Sequence, residues 1–336
     1  MHRALILSAA LLTGCPDVAG TSDLLPPPLD PEVPPDVVFD LPVCEGGVLG
    51  AFETAVVAPP ASDTSAWLAP EEDTRAAIRS SFDALIAGEA PLAVGNVAVV
   101  GYELCRGDAD ENDLVLWRSA IPGTGRALFA WRFRGAHPAI IESPHGFVDA
   151  AGPQTALRTF EVTGARALIV AGTHPCANRD DTCGDGSAVC GGVPAASDGA
   201  LNDASIFHLA HELFADRWAD DWVISLQAMP DEGIAISDGT VSLSGDGAAL
   251  RVGEAILTAL PDQVVTSCNG LPGAERGARY CGTGAMQARH TNGALDPCEE
   301  EPAVGLGRYV QITRSPGTRA ESDAVAQAID AALSAR

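Results

Sequence analysis

The chain has 336 residues, of which 20 are basic and 45 acidic, for a formal net charge of -25. That balance argues against nucleic acid or an anionic membrane face as a partner, since both need clustered cations. Every basic residue is arginine, which excludes a Schiff-base or pyridoxal lysine, a phosphate-loop lysine and a Ser-Lys dyad.

Residues 1–14 start with His2 and Arg3, continue through a short apolar run from Ala4 to Leu12, and end in Thr13-Gly14 before Cys15. The run is shorter than the roughly 20 apolar residues a span requires. It fits an export signal, and Leu12-Thr13-Gly14-Cys15 looks like a bacterial lipobox with Cys15 as the lipidated residue. The expectation is a protein of the bacterial cell envelope, held on a membrane through its lipid anchor only. Residues 15–43 are rich in proline and acidic side chains and are expected to form an extended tether. The folded part is expected over 44–336 as one domain. Nine cysteines in an exported chain read as one lipidated thiol and eight that can pair. Cys176, Cys183 and Cys190 crowd a Gly- and Asp-rich loop, and at least one disulfide is expected to close it in preference to thiolate-bound zinc.

Downstream of the tether, residues 70–87 carry Ala76, Ile78, Phe82, Leu85 and Ile86 at helical spacing, with Gly88 as a stop. Apolar runs at 92–104, 114–117, 127–133 and 139–141 predict neighbouring strands, with 107–112 as a hairpin loop. Asp108, Asp110 and Asn112 open that loop like a calcium loop. It lacks the glycine and the final glutamate of one, so an acidic turn is expected. The pattern then alternates: a buried strand at 167–171, a helix at 202–218, a strand at 222–226, a late strand at 308–312 and a closing helix at 321–335 capped by Ser322. Strand–helix alternation with apolar strands predicts an α/β fold, a mixed sheet with helices on both faces.

The chain holds no Gly-x-Ser-x-Gly elbow, no His-Glu-x-x-His and no phosphate-binding glycine loop. Candidate chemistry therefore sits at strand ends, where α/β folds place ligands. In Glu142-Ser143-Pro144-His145-Gly146-Phe147-Val148-Asp149, His145 and Asp149 are close enough to share one cation, with Glu142 as the candidate catalytic acid–base. In Gly172-Thr173-His174-Pro175-Cys176-Ala177-Asn178-Arg179, the Asn178–Arg179 pair suits a substrate carboxylate. The helix at 202–218 puts His208 and His211 on one face, at the edge of the stripe made by Ile206, Leu209, Ala210 and Leu213.

In order, Pro144-His145-Gly146, the run from Ala167 to His174 with Asn178-Arg179, Ser197-Asp198, Phe207-His208-Leu209-Ala210-His211-Glu212 and Gln287-Ala288-Arg289-His290-Thr291-Asn292-Gly293 resemble the zinc-dependent N-formylglutamate amidohydrolase and poly-γ-glutamate hydrolase group. The resemblance runs from about 138 to 316. It implies a carboxypeptidase-like α/β fold, zinc as cofactor and acidic amides or peptides as substrates. On this chain it implies His145 and Asp149 as metal ligands, with Arg179 and Arg289 holding substrate. The third ligand position falls on Gln227 where the group has a histidine, so a third donor must come from His174, Gln227 or His208. Gln311 and Thr313 stand where a late catalytic glutamate is sought, and neither can serve as a base. Two readings follow: a zinc amidohydrolase, or a non-catalytic, disulfide-braced binding protein on the same fold.

Overall fold

Apolar runs long enough to cross a sheet and too short for a helix dominate the middle of the chain, and they build its centre. The computed structural model describes residues 39–56, 67, 69–121, 124–145, 152–180, 183, 186–241, 247–277 and 279–336. The strands are β1 (Tyr102–Arg106), β2 (Leu114–Ser119), β3 (Leu128–Arg132), β4 (His137–Ser143), β5 (Ala165–Val170), β6 (Trp222–Ala228), β7 (Ile234–Ser237), β8 (Val265–Ser267), β9 (Glu275–Arg276) and β10 (Tyr309–Arg314). The helices are α1 (Gly47–Val56), α2 (Glu72–Ile86), α3 (Ala90–Ala98), α4 (Gly152–Thr163), α5 (Ile206–Arg217), α6 (Ala248–Ala259), α7 (Met286–Thr291) and α8 (Ser322–Ser334).

The strands form one sheet in the order β1-β2-β3-β5-β4-β6-β10-β7-β8-β9. β5, β4, β6 and β10 run parallel at its centre, and an antiparallel meander of β1, β2 and β3 flanks them. Helices cover both faces. Val48 and Phe52 of α1, Phe160 of α4, Val252 and Ile256 of α6 and Ile329 of α8 pack with Ile141, Leu168, Ile224 and Ile312 on one side. Ile78 and Phe82 of α2, Val97 of α3, Leu209 and Phe214 of α5 and Ala288 of α7 pack with Ile140, Ile169, Val223 and Tyr309 on the other. This is the mixed α/β architecture the alternation predicts.

Two readings are corrected. The run at 92–104 is not one strand. Residues 90–98 form α3, where a proline in the first turn and Ala93 and Val97 one turn apart on the buried face favour helix. Only Tyr102–Arg106 is extended. Ser322 does not cap α8; it is the first helical residue, with Glu321 before it, and its hydroxyl bonds Thr155 Oγ1 at 3.0 Å. The loop at 107–113 is the acidic turn expected, with the Asp110 amide donating to Asp108 Oδ1. Glu111 turns inward and caps α1 by accepting from the Val48 and Leu49 amides.

Four disulfides close the fold: Cys44–Cys105, Cys176–Cys190, Cys183–Cys298 and Cys268–Cys281. Such bonds persist outside the reducing cytoplasm, which places the folded part in a secreted or envelope setting. Among the described residues no helix is long and apolar enough to cross a membrane. Cys176–Cys190 closes the dense loop as expected, while Cys183 ties it to the far end of the chain. The Cys176→Ser/Cys190→Ser double variant should lose about 3 kcal/mol in urea unfolding, the loop-closure value for a ring of this size. Unchanged stability would mean that the loop is held by its other bonds.

Candidate active site

β4 ends beside β6, and its last side chains alternate between the sheet's two faces. Ser143 borders a small cavity shared with His145, Leu226, Gln227, Ala228 and Arg314. Its volume is about 10 Å³, room for roughly one water or ion. His145 follows the strand and is buried. Its Nε2 bonds Asp198 Oδ1 at 2.8 Å. Asp198 is in turn fixed by the Ser187 hydroxyl, donating to Oδ2 at 2.5 Å, and by the Ala200 amide, donating to Oδ1 at 2.9 Å. Burial works to raise the Asp198 carboxyl, but His145, Ser187 and the Ala200 amide together hold it below its ordinary value. An ionised Asp198 accepts from Nε2–H and so fixes the ring, turning His145 Nδ1 away from it. That nitrogen is buried with no hydrogen-bond partner among the described residues.

The other expected ligands are placed as follows. Asp149 lies outside the described residues. His174 Nδ1 accepts the Cys176 amide at 3.1 Å, which commits that nitrogen to its own loop. Gln227 does share the His145 cavity, but its Nε2 donates to Gln311 Oε1 at 3.1 Å and to Ser225 Oγ at 3.2 Å. Gln311 also donates to the Tyr280 carbonyl and to Thr313 Oγ1. Tyr280 adopts a left-handed backbone (φ 61°) in the loop closed by Cys268–Cys281, and so aims its carbonyl at Gln311. Two carboxamides thus interlock where a histidine and a glutamate are sought.

Asn178 stands one loop away from His145. Its amide donates to Ser197 Oγ at 2.9 Å, next to Asp198, while its own Oδ1 accepts from the Asp180 amide and its Nδ2 reaches the Trp67 carbonyl. Arg179 follows it, exposed. This loop adjoins a second cavity of about 800 Å³ bordered by Trp67, Glu71, Arg126, Thr173, Ser197 and Phe207. At the mouth of β5, Gly172 approaches the Arg126 carbonyl so closely that a Cβ would sit 1.8 Å from its oxygen. Arg289 is committed elsewhere. Nε donates to the Thr283 carbonyl, Nη1 to those of Pro297 and Cys298, and Nη2 pairs with Glu301. It fastens the loop at 294–301 and borders neither cavity.

Glu142 faces away from His145, on the α5 side of the sheet. It is fully buried and bonds His211 Nδ1 at 2.6 Å. Burial pushes its carboxyl up to about 8, against the attraction of His290. His208 and His211, expected at the boundary of the α5 stripe, are wholly buried, because α2 and α7 close over that helix. Burial drives both imidazoles well below their ordinary value, toward the neutral form. The role of Asp198 as the partner of His145, 53 residues away, has no local signal in the sequence.

No family model matches the chain, and no curated protein matches it. Among solved structures it is similar to a candidate metallopeptidase from Shewanella amazonensis SB2B, at 14% identity over 75% of this chain and 92% of that one, with a TM-score of 0.32. It is similar as well to a candidate metallopeptidase from Shewanella denitrificans OS217, at 14% identity over 76% and 89% of the two chains and a TM-score of 0.31. A metallo-carboxypeptidase from Burkholderia cenocepacia shares 11% identity over 62% of this chain and 60% of its own, with a TM-score of 0.31.

Proposed function

We propose that the chain is a metal-dependent hydrolase of acidic amides or peptides, with its centre at His145. The observation that carries this reading is the unpartnered, buried Nδ1 of His145 on a ring whose opposite nitrogen is locked by a carboxylate. An imidazole oriented in this way is the usual form of a metal-ligating histidine, and an unpartnered ring nitrogen suits zinc. His145 and Asp149 would hold the ion, and zinc would supply Lewis acidity when bound. Arg314, bordering the same cavity, brings a cation that suits an anionic group of the substrate or a developing oxyanion. Asn178 and Arg179 stand at the neighbouring loop, where a guanidinium fork suits a substrate carboxylate. The protein would be exported, which its disulfides support, and anchored through a lipid on Cys15. Intact mass of detergent-extracted protein, showing an acylated chain starting at Cys15, checks that part.

One observation favours the second reading, a non-catalytic binding protein. Gln227 is turned to Gln311 and Ser225 rather than held ready as a third ligand. Elemental analysis separates the two. Purified protein should retain stoichiometric zinc, and His145→Ala should lose it while remaining folded. A folded, zinc-free wild type would leave the binding reading in place. Gln227→His should raise zinc affinity on the order of tenfold or more, since imidazole replaces a carboxamide. No change would mean that position 227 does not face the ion.

A further inference from the structure

On the α5 side of the sheet, four titratable groups form a line that the His145 centre does not use. Glu142 Oε1 and His211 Nδ1 are 2.6 Å apart, His211 Nε2 and His290 Nδ1 are 3.0 Å apart, and His290 Nε2 and Asp216 Oδ1 are 3.1 Å apart. Side-chain exposure along this line is 0% at Glu142, 0% at His211, 16% at His290 and 65% at Asp216. The line therefore begins in the core of the sheet and ends in solvent. At its inner end, Glu142 Oε2 is buried without a hydrogen-bond partner among the described residues, and the buried Tyr309 hydroxyl lies against Ser225. Glu142 pairs in register with Ser225 of β6, and Ser225 accepts from Gln227, which borders the His145 cavity. His211, His290 and the neighbouring His208 do not gather around a point as metal ligands would. Among the described residues only Cys183, Asp203 and Cys298 bring donor atoms close enough for one ion, and those two cysteines are joined in a disulfide.

We propose that Glu142, His211, His290 and Asp216 form a proton relay that carries a proton between solvent and the interior of the sheet behind the His145 centre. In the resting arrangement Glu142 O–H donates to His211 Nδ1, His211 Nε2–H donates to His290 Nδ1, and His290 Nε2–H donates to the Asp216 carboxylate. Outward transfer moves the Glu142 proton to His211 Nδ1 and the His211 Nε2 proton to His290 Nδ1. The His290 Nε2 proton then leaves to solvent past Asp216. Each imidazole gains one proton and loses one, so both end neutral in the opposite tautomer, Glu142 ends as the carboxylate, and one proton has been released. No co-reactant is needed.

The surroundings favour this cycle. Burial raises Glu142 and lowers His211, which keeps the inner end of the resting line neutral. His208 stacks on His211, with ring centroids 5.5 Å apart, and burial holds it neutral. Glu212 of α5 pairs with Arg79 of α2. Arg75 of α2 acts on His208, and Arg308, just before β10, acts on His211 and Asp216. Tyr309 of β10 closes the inner end. Thr291 Oγ1 lies 3.3 Å from His211 Nε2, a second partner for that nitrogen during a tautomer change. The relay requires no metal at His145, so loss of zinc binding there would leave it standing.

The test follows the protonated carboxyl of Glu142 by infrared spectroscopy after a rapid jump from about pH 6 to about pH 10, which crosses its titration. The wild-type full chain should show a protonated-carboxyl band that vanishes in one fast phase, and Glu142→Gln should lack the band, which assigns it. In His290→Gln the amplitude should persist while the rate falls on the order of tenfold or more, because a carboxamide cannot pass the proton on. Asp216→Asn, at an exposed position, should slow the same phase and serves alone if His290→Gln loses its near-ultraviolet circular dichroism. Absence of the band in the wild type overturns the proposal. So do unchanged rates in the folded variants, since a merely structural hydrogen-bond network predicts no kinetic effect.

Discussion

Phe214→Ala should lower the unfolding free energy by about 3–5 kcal/mol, the range for emptying a fully buried aromatic site. Phe214 is 0% exposed. Its ring meets Phe82 of α2 edge-on at 5.4 Å, stacks on Trp218 at 5.7 Å and meets Phe129 of β3 at 6.2 Å. Those partners belong to three elements, so they cannot collapse together into the space it leaves, and the cavity contribution stays near its upper value. The ring also sits less than one turn beyond His211 on α5. The variant should therefore loosen the packing that keeps the two α5 histidines neutral, and His211 should titrate closer to its ordinary range. Urea unfolding with histidine-resolved NMR measures both. A loss below about 1 kcal/mol would show that the aromatic cluster closes over the gap.

The central strands were legible because each is an uninterrupted apolar run bounded by turns. Residues 139–141, 167–171 and 222–226 all lie in the parallel core. Helix α4 was not legible for a specific reason. Thr155, Thr159 and Thr163 sit on its buried face, where β-branched polar residues read as strand or loop. Their burial is tolerated because Thr159 and Thr163 donate to carbonyls one turn back, at 2.9 and 2.7 Å. Helix α6 was hidden by Gly253, which in sequence resembles a break. In the fold it is a close-packing position, since a Cβ there would lie 2.5 Å from Leu271. At the site, His145 could be picked out from its strand end, whereas Gln227 was reached only through the family resemblance; the two border one cavity. The histidines of α5 could not be placed, because a hydrophobic stripe tells which face is buried only when the opposite face is wet. Here α2, α7 and the sheet surround the helix, so the polar residues at its edge became interior groups that must satisfy one another.

Glu142→Gln should abolish the fall of stability with pH on the alkaline side. The folded protein raises Glu142 from its ordinary 4.5 to about 8, with burial as the main cause. Between those values the native state keeps a proton that the unfolded chain has released. The stability this group contributes is therefore full below about pH 4.5 and is lost as pH rises toward 8. At about 1.4 kcal/mol per unit, the loss over that interval approaches 5 kcal/mol. His208 and His211 act in the opposite sense. Burial depresses both, so the unfolded chain takes up two protons below about 6.5 that the native state refuses, and stability falls as pH falls. With Glu142 in place, its single retained proton offsets one of those two on the acid side. On the alkaline side nothing from the histidines offsets its loss, so the wild type should be most stable near pH 6.5. Glutamine keeps the shape and can donate an N–H to His211 Nδ1, but it has no proton to lose. The variant should lose stability more steeply than the wild type below about pH 6.5 and stay level above it, the two curves diverging by about 4–5 kcal/mol between pH 4.5 and 8. Urea midpoints across that range decide the matter, and parallel curves would show that Glu142 is already ionised in the folded protein at neutral pH.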